Sequence, residues 1–474
     1  MKNVVKLQKI KKKFGVLRNS CYNCKCKALE GSMQKSQKER NMRLGRRLTA
    51  ILLVTVLIVF SISAKGANET QKSDKAVIKV FHYMTQNSKQ AGLLALEEEF
   101  MKANPNVTFE NIFYNQGTDY FPQLQTAINS GDVPEIIMGN PSIYPELIEN
   151  GYVADLTGDA AIASLKLSQG DVGDCSYNGI VYAYPVDYKT WGVFYNTAIF
   201  KELGLEIPKT ASELQAISKK IEAAGYDVWA DWYKDGASVD IQTRIVIWTQ
   251  AIKRGDTDLF AKLMSGARIT DYPYIQESLD DWAKRLEFHR NDALSNSQDQ
   301  AIELFVSGKA AMMFMGSWSV GDIEAKAAGN PNFEYAFFPC PCSENPADVV
   351  LNIQIDDAFM INPKSKNYEI AKAFMQYWIT DGGLTWSEIS SQPLISGQSS
   401  DKLPKIISDI AAIKKSGNYV GYGQFTTAYT AEYTSAWRKG LTAWAENVIT
   451  GGKKSSDTQI KEIQKLYDDI RAIK

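Results

Sequence analysis

A chain of 474 residues exceeds what one hydrophobic core usually organises, so two lobes are the first expectation. Its net charge of −1 hides an asymmetry: residues 1–66 carry 16 Lys/Arg against 2 Asp/Glu, leaving 37 basic and 52 acidic side chains, a net of −15, for the rest. So acidic a body argues against a nucleic-acid partner, whose phosphates demand Lys/Arg, and with only His82 and His289 present, His-rich metal centres and most acid–base dyads are unavailable.

The basic start reads as targeting. Arg43, Arg46 and Arg47 precede an uncharged run from Leu48 to Ala64. That order describes a secretory signal, while the length of the run sits at the short limit for a spanning helix. Residues 42–67 are therefore expected to be a signal peptide or an uncleaved membrane anchor. No cysteine follows the apolar run for lipid attachment. Residues 1–41 are Lys-rich and show no apolar period, and Met33 or Met42 is the expected true start. Cys21, Cys24 and Cys26 lie in that stretch without the fourth ligand that a tetrahedral metal site needs. Residues 68–75 form a polar linker. In the body, Cys175, Cys340 and Cys342 are an odd set, so at least one thiol stays unpaired, and buried free thiols are expected for all three.

From Val77 to Tyr83, β-branched and aromatic residues predict a strand. Leu93, Leu96 and Phe100 then recur at helical spacing, with Glu97, Glu98 and Glu99 between them. A second strand is expected over 107–113, a helix over 121–130 ending at Gly131, and a short strand over 135–138. Strands alternating with helices through short turns imply a mostly parallel sheet with helical flanks, an α/β fold.

Farther on, Phe305 to Trp318 reads as a helix end, a Gly308-Lys309 turn, an apolar strand, and a tight turn carrying Trp318. This order sets a flat aromatic face at the carboxyl end of a strand, where open α/β sheets receive ligands. A strand is expected over 333–338, one apolar stretch over 352–361, and a helix bearing Ala371, Phe374, Met375 and Trp378 that ends near Gly383. Two final helices are expected over 428–449 and 457–473.

Several segments, in order, resemble one family. They include Asn104-Pro105-Asn106-Val107, Ser130-Gly131-Asp132-Val133-Pro134, Leu147 to Thr157, Gly179 to Pro185, Val193-Phe194-Tyr195-Asn196 and Phe200 to Thr210. With the Trp318 turn, they are similar to the extracellular solute-binding proteins of sugar-type ABC importers, the maltose-binding-protein-like group. The resemblance implies a periplasmic-binding-protein type II fold, two α/β lobes with a ligand cleft between them. It implies lobe one over 76–186 plus 355–388 and lobe two over 187–354 plus 392–474. Crossings would fall near 185–188, near 353–357 and around Gln392. It also implies a helix capped by Thr210 with Glu213 three residues on, as in a capping box.

Sugar rings present apolar C–H faces rimmed by hydroxyls. Aromatic faces accept the former; Asp, Asn, Gln and Tyr satisfy the latter, carboxylates most strongly. Trp318 is the first candidate platform. The resemblance adds Trp437, although Trp437 and Trp444 at seven-residue spacing equally fit one buried helical face. It also adds Asp187 as an acidic acceptor at the first crossing; at the second, Asp356 or Asp357 stands where relatives often have glycine, a departure that tunes the ligand or seals the crossing. Trp191 belongs beside Asp187 or in the core. Asn140 and Tyr144 end a lobe-one strand, Tyr83 follows the first strand, Trp232 and Tyr233 are lobe-two contacts, and Trp386 and Gln392 flank the last crossing. Tyr182, Phe194, Phe314 and Trp378 are assigned to core.

No phosphate loop of Walker type and no G-x-S-x-G elbow occurs, and no carboxylate pair stands out for glycoside hydrolysis. The resemblance therefore implies a non-enzymatic, extracytoplasmic binder, monomeric, with a carbohydrate ligand and ABC permease subunits as partners. It calls for no metal or cofactor. A membrane-tethered carbohydrate sensor and a carbohydrate-active enzyme remain the alternatives.

Overall fold

The computed structural model describes residues 75–473, apart from 115–118, 235, 418, 422–430 and 454. The expected extension, signal or anchor and most of the linker lie outside the described residues, as does the start expected for the helix over 428–449.

The strands, in order, are β1 (Ala76–His82), β2 (Val107–Phe113), β3 (Ile136–Met138), β4 (Ser176–Tyr177), β5 (Ile180–Val181), β6 (Tyr184–Pro185), β7 (Tyr188–Asn196) and β8 (Asp227–Trp229). β9 (Ala310–Gly316), β10 (Tyr335–Phe338), β11 (Leu351–Ile355), β12 (Ala358–Ile361) and β13 (Tyr419–Val420) follow. Eight helices carry the argument: α1 (Asn87–Ala103), α2 (Tyr120–Ser130), α3 (Ala237–Lys253), α4 (Pro273–Leu286), α5 (Tyr368–Ile379), α6 (Gly383–Ser390), α7 (Ala431–Ile449) and α8 (Asp457–Ile473).

Two sheets result. The first runs β2-β1-β3-β12-β6; β1 pairs in parallel with β2 and β3, while β12 runs antiparallel to β3 and β6. The second runs β13-β11-β7-β9-β8, with β10 also on β7. Every residue of β9 is buried, which is why its sequence is a continuous apolar run rather than an alternation. Ile78 and Val80 of the first sheet pack with Leu93, Leu96 and Phe100 of α1 and with α5, as the 3.6-residue period predicted. A separate apolar core lies among α3, α4, α7 and α8.

Three local expectations need correction. The apolar stretch over 352–361 is two strands, broken at Asp356-Asp357, where the chain leaves the second sheet for the first. The strand over 333–338 begins only at Tyr335. Thr210 does cap its helix, accepting from the Glu213 N–H at 3.1 Å. The Glu213 carboxylate, however, reaches past it to the N–H of Lys209 at 2.6 Å, so the box is not reciprocal. Cys175, Cys340 and Cys342 are free thiols as expected, but only Cys175 and Cys342 are buried, Cys340 being partly exposed.

Glu97 departs from its two acidic neighbours. It is 2 % exposed, bonded among the described residues by the Asn111 amide at 2.8 Å, and burial pushes its carboxyl up to about 7 from 4.5. A folded-state value above the unfolded one gives stability that is complete below about pH 4.5 and is lost as pH rises through about 7. Glu97→Gln should remove that loss. Melting curves from pH 4 to 8 should show wild type falling relative to the variant, and parallel profiles would contradict this reading.

Candidate functional site

The site begins where the chain passes between sheets. Val186 and Asp187 link β6 to β7, Asp356 and Asp357 link β11 to β12, and Gln392 to Leu394 return beside them. Backbone bonds lace the three passages: the N–H of Asp356 reaches the carbonyl of Asp187 at 3.0 Å, Val186 that of Asp357 at 2.9 Å, and Tyr188 that of Pro393 at 3.2 Å. The Asp357 N–H also donates to Asp187 Oδ1 at 2.9 Å.

Into this knot α1 inserts Lys89 from its first turn, 2 % exposed. Its Nζ lies 2.6 Å from Asp356, 2.7 Å from Asp357 and 3.4 Å from Asp187, and Lys189 closes on the other oxygen of Asp356 at 2.9 Å. Adjacent aspartates on a regular strand would face opposite ways; these two converge because they lie in the bend between strands. The three carboxylates have oxygens within 4.8 Å of one another, a cation's spacing, and the cation present is the Lys89 ammonium.

Burial pushes the Asp187 carboxyl well up, aided by Asp357, and lifts Asp357 to about 6. Burial opposes the charge of Asp356 too, but Lys189 and Lys89 together hold it low. Desolvation likewise opposes the Lys89 charge, and the surrounding carboxylates outweigh it.

Next to the knot stands an aromatic corner. β9 ends at Gly316, and the turn Ser317–Ser319 presents Trp318. The ring folds back over Gly316 so closely that a Cβ there would lie 1.8 Å from it, so glycine is required. Trp191 on β7, opposite Gly316 in register, meets Trp318 edge-on, centroids 5.5 Å apart at 78°.

Lys189 lies two residues before Trp191 and so shares its face of the strand; its Nζ is 5.2 Å from the Trp191 ring. Across the ladder Asn352 opposes Trp191 and Gln354 opposes Lys189, and directly opposed residues share a face. One sheet face therefore carries Lys189, Trp191, Asn352 and Gln354. Trp191 Nε1, Asn352 Oδ1 and Gln354 Oε1 are buried and meet no hydrogen-bond partner among the described residues. Such atoms cost about 1–3 kcal/mol each when left unpaired. Gln392, fully buried, ties the third passage to this corner by donating to the Trp318 carbonyl at 3.3 Å.

The first sheet contributes its own edge. Tyr83 follows β1, α2 opens with Tyr120 after β2, and Asn140 to Tyr144 follow β3, so all three lie at carboxyl ends of parallel strands. Tyr120 is anchored by donating to the Met138 carbonyl at 2.6 Å; Tyr83 meets it edge-on at 4.9 Å. Gly139, at φ +145°, leaves room for the Tyr144 ring, which would lie 2.4 Å from a Cβ. Asn140 is half-buried. His82 is sealed in, and burial lowers it to about 4, keeping it neutral.

The structure brings Trp318, Trp191 and Asp356 together, with Asp187 at their base and Tyr83, Asn140 and Tyr144 on the first sheet. Asp187, read from sequence as an open acceptor, is 0 % exposed and engaged by Lys89 and a backbone N–H. Trp232 follows β8, buried in the same core as Trp318, with Nε1 unpartnered. Trp386 and Trp437 are placed elsewhere. Trp386 packs on Trp378 at 5.0 Å between α5 and α6, and Trp437 sits with Trp444 in the helical core, its Nε1 3.4 Å from Thr243. Tyr233 is likewise buried, bonded to Gln242 at 3.4 Å. Phe194, Phe314 and Trp378 are core as expected, while Tyr182 is only partly buried. Sequence reasoning missed Lys89 and Lys189, whose partners are hundreds of residues away or across a strand bend, and no local pattern marks them.

Residues 85–384 match the family model of the bacterial extracellular solute-binding proteins. The multiple sugar-binding protein of Streptococcus mutans serotype c is 23% identical over 420 residues, covering 85% of this chain and 95% of that one. The melibiose/raffinose/stachyose-binding protein MelE of Bacillus subtilis is 22% identical, over 62% of this chain and 68% of its own. Among solved structures, a chitin oligosaccharide binding protein superposes with TM-score 0.67 at 19% identity, covering 84% of this chain and 100% of that one. These structures share the type II periplasmic-binding-protein fold.

Removing Lys89 leaves Asp187 and Asp357 buried without a cation, while Asp356 keeps Lys189, and breaking a buried pair typically costs about 3–5 kcal/mol. Lys89→Met should therefore lower unfolding free energy at pH 7 by about that amount in urea titrations, and adding Asp357→Asn should restore part of it. A variant as stable as wild type would contradict the clamp.

Proposed function

This chain belongs to the bacterial extracellular solute-binding proteins, and from that premise we propose that it captures a carbohydrate, an oligosaccharide, for an ABC importer. The observation that carries the reading is the aromatic corner of Trp318 and Trp191, set beside Lys189, Asp356, Asn352 and Gln354. Trp318 and Trp191, 9 % and 6 % exposed with the lobes as they stand, meet at 78°; in this reading, parting of the lobes uncovers their faces for sugar C–H groups. The unpartnered indole N–H and amide oxygens beside them supply a donor and acceptors for hydroxyls.

Lobe one comprises 76–186 and 355–388, lobe two 187–354 and 392–474, and the three laced passages form the hinge. Ligand held by groups from both lobes favours the closed state over the open one. Tyr83 and Asn140 then supply contacts from lobe one. The family consists of solute-binding proteins, and in this account the ligand leaves unchanged. The protein acts outside the cytoplasm as a monomer, delivers its sugar to membrane permease subunits and engages no nucleic acid. Leu48–Ala64 serves as its secretory signal. If that run is retained, the same cleft serves a tethered sensor, and N-terminal sequencing of the mature protein separates the two.

Titration calorimetry against a panel of mono- and oligosaccharides tests the reading. At least one glycan series should bind, and Trp318→Ala, verified as folded by circular dichroism, should lose at least ~10-fold in affinity, about 1.4 kcal/mol. Unchanged affinity in a folded variant would contradict it.

A further inference from the structure

We propose that Phe121 is the stacking platform of an outer sugar subsite, so that lobe one selects glycans long enough to reach it from the Trp318 corner. This rests on the carbohydrate reading of the cleft.

Exposed large apolar side chains are few among the described residues, and Phe113, Phe121 and Ile143, at 45 %, 41 % and 38 % exposure, are three of them. All three lie at one end of the first sheet: Phe113 closes β2, Phe121 is in the first turn of α2, and Ile143 is in the turn after β3. That is the carboxyl end of three adjacent parallel strands, the crevice side of an open α/β sheet, and the side from which Tyr83 projects.

The Phe121 ring is held rather than loose. It stacks on Tyr144 with centroids 6.0 Å apart and planes at 24°. Tyr144 in turn is 4 % exposed and stands 6.1 Å from the anchored Tyr120, which carries Tyr83 at 4.9 Å. Gln125 of α2 donates to Glu146 at 2.8 Å, fixing the helix to the segment that bears Tyr144. The four rings thus form a continuous aromatic ladder from the passages between sheets, at Tyr83, outward to Phe121. Its middle members, Tyr120 and Tyr144, are covered by protein, Tyr83 is half-buried, and Phe121 at the outer end is 41 % exposed.

The company of that face fits a sugar better than a protein. Half-buried Gln125 lies one helical turn on from Phe121 and so on its side of α2, and its bond to half-buried Glu146 sets hydroxyl-bonding groups on the same side as the apolar plane. The centre of a protein-docking patch is depleted of charged residues such as Glu146.

The test uses the full chain, with Phe121→Ala and Phe121→Tyr, and calorimetry on a chain-length series of the glycan that wild type binds. The inference expects Phe121→Ala to leave the shortest bound member unchanged and to weaken longer members by about 5- to 20-fold. Phe121→Tyr should keep wild-type values, and unfolding midpoints should agree because the ring is exposed. Equal losses at every length, or no loss at any length, would overturn the subsite while leaving the carbohydrate reading intact. Normal glycan affinity with impaired transport would assign the ring to a protein partner and likewise overturn it. A wild type that binds no glycan at all would remove the carbohydrate reading, and this inference with it.

Discussion

One buried ammonium organises this molecule. Lys89 leaves α1 and ends among Asp187, Asp356 and Asp357, 2 % exposed to solvent. Taking such charges out of water costs several kcal/mol per ion, so the arrangement persists only because every partner is in place. Those partners are the residues at which the chain passes from one sheet to the other. Position in the sequence and position in space coincide here: α1 grips both strands of the passage at once, and Lys189 extends the grip onto β7.

The aromatic corner inherits its geometry from that grip. Lys189 and Trp191 sit on β7 directly after the first passage, while Asn352 and Gln354 sit on β11 directly before the second. Fixing the passages fixes the register of these four side chains against Trp318. Asp356 belongs to both systems. It is the carboxylate of the knot with residual exposure, 12 %, and the one whose charge is best supported.

Much of this was legible beforehand. The parallel half of the first sheet, β2-β1-β3, followed from β-branched runs at period two alternating with helical apolar periods, because those signals arise within a few residues of chain; its antiparallel members β12 and β6 departed from the mostly parallel sheet expected. The Trp318 turn was legible for the same reason: Gly316 admits a close ring, and the strand before it is too uniformly apolar to be exposed. What local pattern cannot carry is a partner 267 residues away, the separation between Lys89 and Asp356. Asn87-Ser88-Lys89-Gln90 reads as an ordinary solvated helix start.

Tryptophan shows the same limit from the other side. Trp318, Trp386 and Trp437 are each flanked by residues compatible with a turn or an amphipathic helix. Packing alone decided that Trp386 fills the space beside Trp378, and Trp437 the helical core beside Trp444. Glu97, Glu98 and Glu99 were indistinguishable as letters, yet only Glu97 points inward to Asn111. The measurement that bears most directly on the central claim is a crystal structure of this protein with a glycan that it binds. The account predicts a sugar ring against Trp318 and Trp191, with hydroxyls on Asp356, Asn352 or Gln354. A glycan seated away from both tryptophans, in either lobe, would contradict it.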